Sequence, residues 1–163
     1  MSTGSMEQLY QQVILDHARA PHGKGLLEPV ATAGESHQVN PTCGDEVTLR
    51  VELDTSVPGS PRVERVSWEG QGCSISQASI SVLHDLVTGA ELGQVDDLAG
   101  TFRALMHARG AGLDDEAEDT LGDATAFTGV AKYPARIKCA LLGWAALQDA
   151  LIKTGATTSQ EDA

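Results

Sequence analysis

The chain contains few aromatic residues, few basic residues and few cysteines, and each shortage narrows the classes of protein it can belong to. Aromatic residues make up 4% of the 163 positions, so we expect a core built from leucine, valine, isoleucine and alanine. Only 11 lysine and arginine residues oppose 23 aspartate and glutamate residues, for a formal charge of -12. This charge repels nucleic-acid phosphates and anionic lipids, so we expect neither to be a partner.

Long apolar segments are missing as well. No stretch approaches the roughly 20 apolar residues of a transmembrane helix, and Met1 to Gln12 contains no basic segment followed by an apolar run. We therefore expect a cytoplasmic protein, in which the three cysteines are free thiols or metal ligands rather than disulfide partners.

The length and the 41% content of hydrophobic residues predict a single domain. We place this domain at residues 7–153. A disordered or tag-derived segment, residues 1–6, is expected before it, and a disordered tail, residues 154–163, after it.

The first half of the chain carries the pattern of β-strands. Apolar and polar residues alternate from Val47 to Asp54, as they do in a half-buried strand. A proline- and glycine-containing turn follows, and Arg62 to Glu69 is expected to return antiparallel to the first strand. A further strand is indicated around Glu35 to Val39.

Helical periodicity dominates the second half and the N-terminal region. Strands followed by helices indicate an α+β fold, with a small antiparallel sheet of about three strands packed against several helices. The helices are predicted from Leu9 to His17, from Cys73 to before Gly89 with Ser74 or Ser76 as its cap, from Leu98 to His107, and from Pro134 to about Lys153.

An acidic region extends from Glu91 to Asp123 and contains only two arginines. Blocks of like charge are usually solvated, so we interpret this region as an exposed surface in preference to a docking patch.

Cys43 lies within a segment that is typical of a tight turn, Asn40 to Asp45. Turns lie at protein surfaces, so this thiol is expected to be accessible rather than buried as a small apolar side chain. Gly44 allows a sharp bend, through which Cys43 and Asp45 can point to a common centre. Three thiols and one carboxylate provide the four ligands of a tetrahedral zinc site or an iron site.

The other two cysteines lie in predicted helices. Cys73 stands at the start of one, where unpaired N–H groups favour a thiolate, with a thiol tucked under the helix as an equal alternative. At about 100° per residue, Cys139 lies about 200° from Ile137 and hence off the main apolar face of the last helix. With Arg136 and Lys138 nearby, we interpret Cys139 as a metal ligand or reactive thiolate. The spacing of the cysteines matches no C-x-x-C pattern, so spacing alone supports a metal site only in part.

Three segments around the cysteines resemble the signature sequences of the IscU/NifU-like iron–sulfur cluster assembly family, and most closely those of its SufU-type members. The likeness runs from about residue 7 to 153 and includes the first helix, Leu9 to His17. The three segments are Asn40-Pro41-Thr42-Cys43-Gly44-Asp45, Gly70-Gln71-Gly72-Cys73-Ser74-Ile75-Ser76 and Tyr133-Pro134-Ala135-Arg136-Ile137-Lys138-Cys139.

The resemblance implies a metal ion, zinc in the SufU branch, that is held by Cys43, Asp45, Cys73 and Cys139. It also implies that Cys43 accepts persulfide sulfur from a SufS-like cysteine desulfurase, which uses pyridoxal phosphate. The chain would then be a zinc-dependent sulfurtransferase for iron–sulfur cluster biogenesis that serves downstream iron–sulfur assembly proteins. Arg136 is expected either to hold the thiolate or persulfide by its charge or to be a solvated helix residue.

Two departures separate the chain from the IscU branch. Lys138 stands where that branch carries a histidine, and of its Leu-Pro-Pro-Val-Lys chaperone motif only Pro134 and a basic residue, Arg136, remain. The acidic region from Leu92 to Asp119 resembles an insertion of the SufU branch. These features favour sulfur transfer over cluster assembly and chaperone handover.

Three alternatives remain open. The first is a scaffold that assembles a [2Fe-2S] cluster on the same ligands, and the second is a zinc module that only binds a partner. The third is a cysteine hydrolase that uses His84 or His107. Both histidines lie within helical patterns, where a solvated or core histidine is more common than a catalytic base.

Overall fold

The computed structural model describes residues 2–28, 33–42 and 44–155 of the chain. These residues contain five α-helices, one 3-10 segment and one three-stranded sheet. None of the described helices combines the length and the apolar character needed to cross a membrane. The order of elements confirms the predicted α+β class. They are α1 (Ser2–Arg19), β1 (Ala33–Asn40), β2 (Asp45–Asp54), β3 (Arg62–Gln71), α2 (Ser74–Val87), α3 (Leu92–His107), α4 (Asp115–Leu121), a 3-10 segment (Gly122–Lys132) and α5 (Pro134–Lys153).

The sheet is antiparallel, with β2 in the centre between β1 and β3. Every second residue of the first part of β2, including Val47, Leu49 and Val51, is completely buried, because one face of the strand packs on the helices. Glu46 pairs with Gln71, so the start of β2 and the end of β3 lie side by side. All three predicted strands are confirmed.

Helix α5 packs against β1, β2, α2 and the 3-10 segment. Two glycines permit close approach, because a Cβ atom at Gly34 would overlap the carbonyl oxygen of Ala150 and one at Gly143 would lie 2.6 Å from the side chain of Ile80. The helix is therefore covered on several sides.

The predicted position of Cys139 off the apolar face of α5 is wrong. Cys139 is only 3% exposed and therefore lies on the buried surface of the helix. Because several elements cover α5, its buried surface is broader than a single stripe and is not centred on Ile137. These buried residues are Cys139, Ala140, Leu142, Gly143, Trp144, Ala146, Leu147, Ala150 and Leu151.

The core contains more aromatic surface than the composition led us to expect. Both phenylalanines and both tryptophans of the chain are buried. Phe102 stacks on Trp144 with 5.5 Å between ring centres and contacts Phe127 edge to face at 5.8 Å. A few large side chains thus join α3, the 3-10 segment and α5 where an all-aliphatic core was predicted.

The acidic region is more structured than predicted. Helix α3 begins at Leu92 rather than Leu98, because Glu91 and Gln94 form a capping box at its start. Asp114 caps α4 by accepting a hydrogen bond from the backbone N–H of Ala117. Helix α4 and the 3-10 segment were not predicted, since acidic residues at a helix start resemble a solvated loop in sequence.

The helix after Cys73 ends as predicted, with Gly89 at a φ angle of +86° just beyond it. The predicted caps, Ser74 and Ser76, are wrong. The N-cap is Cys73, and its side chain makes no capping hydrogen bond.

The predicted domain boundaries remain predictions. Helix α1 begins at Ser2, inside the segment 1–6 to which the sequence assigned no structure. Most of the predicted tail, residues 156–163, lies outside the described residues.

Ser36 and Asp149 connect β1 to α5. The buried Ser36 hydroxyl donates to Asp149 Oδ2 at 2.6 Å, and Lys153 Nζ lies 3.0 Å from the same oxygen. The hydrogen bond from Ser36, with that from Lys153, holds the pKa of the Asp149 carboxyl below its ordinary value of 3.8.

Ser36→Ala is expected to lower the free energy of unfolding by about 1 kcal/mol at pH 7. Because the pKa of Asp149 is depressed in the folded state, its stabilising contribution is present above the unfolded pKa. It is lost as the pH falls through the folded pKa. Urea unfolding at pH 7 and near pH 3 measures the free energy of unfolding of the wild type and of Ser36→Ala at each pH. Lys153→Ala serves as the comparison, because it removes only the exposed ion pair with Asp149. An equal loss in Ser36→Ala at both pH values would contradict the explanation.

Candidate metal centre

Asp45, Cys73 and Cys139 meet at the edge of the sheet where β2 begins and β3 ends. One potential ligand atom of each residue lies within 4.8 Å of those of the other two. Asp45 is the first residue of β2, Cys73 is the N-cap of α2, and Cys139 lies in the second turn of α5. The fold thus brings together three donors that are far apart in the sequence.

The Asp45 carboxylate is completely buried and contacts Cys73. Its Oδ1 accepts a hydrogen bond from the backbone N–H of Cys73 at 2.9 Å, and its Oδ2 lies 4.0 Å from Cys73 Sγ. Removing a carboxylate from water is costly unless hydrogen bonds or an opposite charge compensate it. Two sulfur atoms and this carboxylate form a donor set that suits zinc or iron, so the residues present fit a metal ion.

The two described cysteines differ in their access to solvent. Cys73 is exposed, so the alternative of a thiol tucked under α2 is wrong. Cys139 is buried, and its Sγ lies 3.6 Å from the carbonyl oxygen of Ala135. The group is therefore open on the Cys73 side and enclosed on the Cys139 side.

Gly72 packs directly against the Asp45 carboxylate. A Cβ atom at this position would overlap Asp45 Oδ1 and would lie 2.5 Å from Ser76 Oγ. The Ser76 hydroxyl in turn donates to the carbonyl oxygen of Cys73 at 3.0 Å. Only glycine fits between the end of β3 and the buried carboxylate.

Cys43 lies outside the described residues, so its membership of this group remains a prediction. Its chain neighbours, Thr42 and Gly44, are exposed residues of the turn between β1 and β2. The backbone N–H of Gly44 donates to the carbonyl oxygen of Asn40 at 3.0 Å, and Gly44 has a φ angle of +73°. The sharp bend predicted at Gly44 is confirmed.

Arg136 lies on the exposed first turn of α5, one turn before Cys139. Its guanidinium carbon is 5.1 Å from the centre of the Tyr133 ring. The predicted action of Arg136 on a thiolate or persulfide remains a prediction.

The histidines of the hydrolase alternative lie in other surroundings. Among the described residues, the group around Cys73 and Cys139 contains no histidine. His84 Nδ1 lies 3.0 Å from Asp85 Oδ1, and His107 is exposed at the end of α3.

A second group of potential ligands was missed in the sequence. His17, His22 and Asp85 each offer an atom within 4.8 Å of the others. Burial acts to raise the pKa of Asp85, but hydrogen bonds from His84 and His22 outweigh it and lower the pKa below the ordinary value. The two histidines are close in sequence, but Asp85 belongs to another helix, and only the fold brings it to them.

Comparison with known proteins gives matches along most of the chain. Residues 9–153 match the family model described as the NifU-like N-terminal domain. The zinc-dependent sulfurtransferase SufU of Bacillus subtilis (strain 168) is 38% identical over 149 residues, which cover 91% of this chain and 93% of that protein. The iron–sulfur cluster assembly scaffold protein IscU of Streptococcus pyogenes serotype M1 is 37% identical over 152 residues, which cover 93% of this chain and 87% of that protein.

Solved structures share the fold. A crystal structure from Fervidobacterium islandicum AW-1, of a candidate iron–sulfur cluster assembly scaffold protein for the SUF system, superposes with a TM-score of 0.73. It is 31% identical in sequence, and the match covers 86% of this chain and 94% of that one.

Proposed function

Since this chain belongs to the NifU-like N-terminal domain family, we propose that it acts in iron–sulfur cluster assembly as a zinc-dependent sulfurtransferase. The observation that carries this proposal is the convergence of Asp45, Cys73 and Cys139, whose ligand atoms lie within 4.8 Å of one another. The similarity to a sulfurtransferase of that description adds support.

The proposed ligands of the zinc ion are Asp45, Cys73, Cys139 and Cys43. When bound, the ion keeps thiol ligands deprotonated at neutral pH and so maintains them as thiolates. Asp45 holds the backbone of Cys73 through its hydrogen bond, and one residue separates Asp45 from Cys43 in the chain. The carboxylate therefore connects the β1–β2 turn to the start of α2.

Cys43 is the proposed sulfur acceptor. Its thiolate attacks the outer sulfur of a persulfide on the desulfurase, which forms a new S–S bond on Cys43. The S–S bond on the desulfurase breaks, and its electron pair leaves with the desulfurase cysteine as a thiolate. The proton of the outer sulfur stays on that sulfur, and no oxidant is needed.

The partner in this reaction is a SufS-like, pyridoxal-phosphate-dependent cysteine desulfurase. The exposed positions of Thr42 and Gly44 support access of such an enzyme to the turn that contains Cys43. Arg136, also exposed, is proposed to stabilise negative charge on the thiolate or persulfide. This thiol chemistry suits a reducing compartment, so we propose the cytoplasm as its location and downstream iron–sulfur assembly proteins as recipients.

Mass spectrometry tests this function directly. The chain is incubated with a SufS-like desulfurase and cysteine, alkylated and digested. We expect one added sulfur atom on the peptide that contains Cys43, and none when cysteine is omitted. An unmodified Cys43 peptide beside a desulfurase that carries persulfide would contradict the proposal.

A second candidate function is assembly of a [2Fe-2S] cluster on the same ligands. The 37% identity to a protein named as an iron–sulfur cluster assembly scaffold favours it. Anaerobic reconstitution followed by cluster transfer to an apo-protein distinguishes the two functions, because a scaffold transfers an intact cluster whereas a sulfurtransferase supplies only sulfur.

A further inference from the structure

His17, His22 and Asp85 form a compact group at the end of α2 opposite to Cys73. His17 lies in the last turn of α1, His22 in the loop that follows, and Asp85 in the last turn of α2. His22 Nδ1 is 2.7 Å from Asp85 Oδ2, and the rings of His17 and His22 lie 4.8 Å apart. Since Cys73 caps the first turn of α2, about 18 Å of helix separates this group from the cysteine site.

Ser81 fixes the relative position of the two histidines. Its hydroxyl oxygen lies 2.6 Å from His17 Nδ1 and accepts a hydrogen bond from the backbone N–H of His22 at 2.8 Å. Both Ser81 and His17 are buried. Outer groups of this kind orient histidine ligands in metal sites.

The loop that carries His22 is also held in place. Trp68 Nε1 donates to the carbonyl oxygen of His22 at 2.8 Å, and the backbone N–H of Trp68 donates to the carbonyl oxygen of Gly23 at 3.1 Å. Gly23 has a φ angle of +78°, and a Cβ atom there would overlap the ring of His84. The donor atoms are thus positioned before any ligand arrives, which lowers the entropy cost of binding.

We propose that His17, His22 and Asp85 form a second metal site, for a divalent first-row transition-metal ion such as Zn²⁺. Two imidazole nitrogens and one carboxylate oxygen suit Zn²⁺, Co²⁺ and Ni²⁺ better than Mg²⁺ or Ca²⁺, which prefer oxygen ligands. Three protein ligands leave a position for water. The negative net charge of the chain and the Asp123 carboxylate, 3.5 Å from His17 Nε2, favour a cation here.

This site shares no residue with the cysteine site, and the inference does not rest on the proposed sulfurtransferase function. It can therefore fail while sulfur transfer to Cys43 is observed, and the reverse is also true.

Titration with Co²⁺ tests the second site. Full-length protein is first loaded with one equivalent of Zn²⁺, which fills the cysteine site. Co²⁺ is then added stepwise while the visible absorption spectrum is recorded. We expect one further ion per chain with the ligand-field bands of Co²⁺ and without a sulfur-to-cobalt charge-transfer band. Absence of these bands would overturn the proposal, and so would a charge-transfer band that accounts for all the Co²⁺ bound, because the added ion would then lie only on sulfur ligands.

Variants locate the ion. His22→Ala and Asp85→Asn, at exposed positions, are each expected to weaken Co²⁺ binding by at least about tenfold. His107→Ala, which removes an exposed histidine outside the group, should leave the titration unchanged. Equal affinity in all three variants would overturn the assignment.

Discussion

Cys43→Ser is expected to reduce persulfide transfer from a SufS-like desulfurase to this chain to the background rate. A serine hydroxyl is not ionised at neutral pH and forms no persulfide, so the acceptor of the sulfur is lost. The rate of alanine formation by the desulfurase, together with the mass of the chain, measures the effect.

Thr42→Ala serves as the matched control for Cys43→Ser. It alters an exposed side chain of the same turn and keeps the thiol, so we expect it to retain sulfur transfer. Full turnover in Cys43→Ser would refute the role of Cys43. Equal loss in both variants would indicate that the turn itself, and not the thiol, is required.

Asp45→Ala is expected to weaken zinc binding by at least about 100-fold. Loss of a residue that does not bind the metal but orients one of its ligands lowers metal affinity about 10- to 100-fold. Loss of a proposed ligand should lower the affinity by at least as much. Competition with a chromophoric chelator measures the affinity.

Asp45→Asn separates two roles of this residue. Its amide oxygen can still accept the hydrogen bond that Asp45 Oδ1 accepts from the backbone N–H of Cys73, but the negative charge is gone. If Asp45 is a ligand, both variants lose zinc affinity. Wild-type affinity in Asp45→Asn with weak binding in Asp45→Ala would assign Asp45 a purely structural role.

Much of the fold could be predicted because its pattern is local. The alternation of Val47, Leu49 and Val51 predicts the central strand, and Pro134 marks the start of the last helix. The bounds of α3 were harder to find, since its start depends on the capping box of Glu91 and Gln94 within an acidic region.

The face of α5 could not be predicted from helical phase alone. The sheet, α2 and the 3-10 segment cover this helix on several sides, and the phase of Ile137 therefore does not define the buried face on which Cys139 lies. The resemblance still named Cys139 as a ligand, and the structure brings it near Asp45 and Cys73. Motif and periodicity both indicated a ligand at Cys139, but the periodicity argument placed it off the buried face, and that placement is wrong.

The group of His17, His22 and Asp85 could not be predicted from the sequence for a different reason. Its members become neighbours only because α1 packs against α2 and because the loop after α1 accepts a hydrogen bond from Trp68 in β3. Such long-range packing leaves no spacing pattern in the sequence.

X-ray absorption at the zinc edge, on freshly purified protein that holds one zinc ion per chain, tests the central claim most directly. The account predicts three sulfur neighbours at about 2.3 Å and one oxygen neighbour. It also predicts one sulfur fewer in each of Cys43→Ser, Cys73→Ser and Cys139→Ser. A zinc ion surrounded only by nitrogen and oxygen atoms would contradict it.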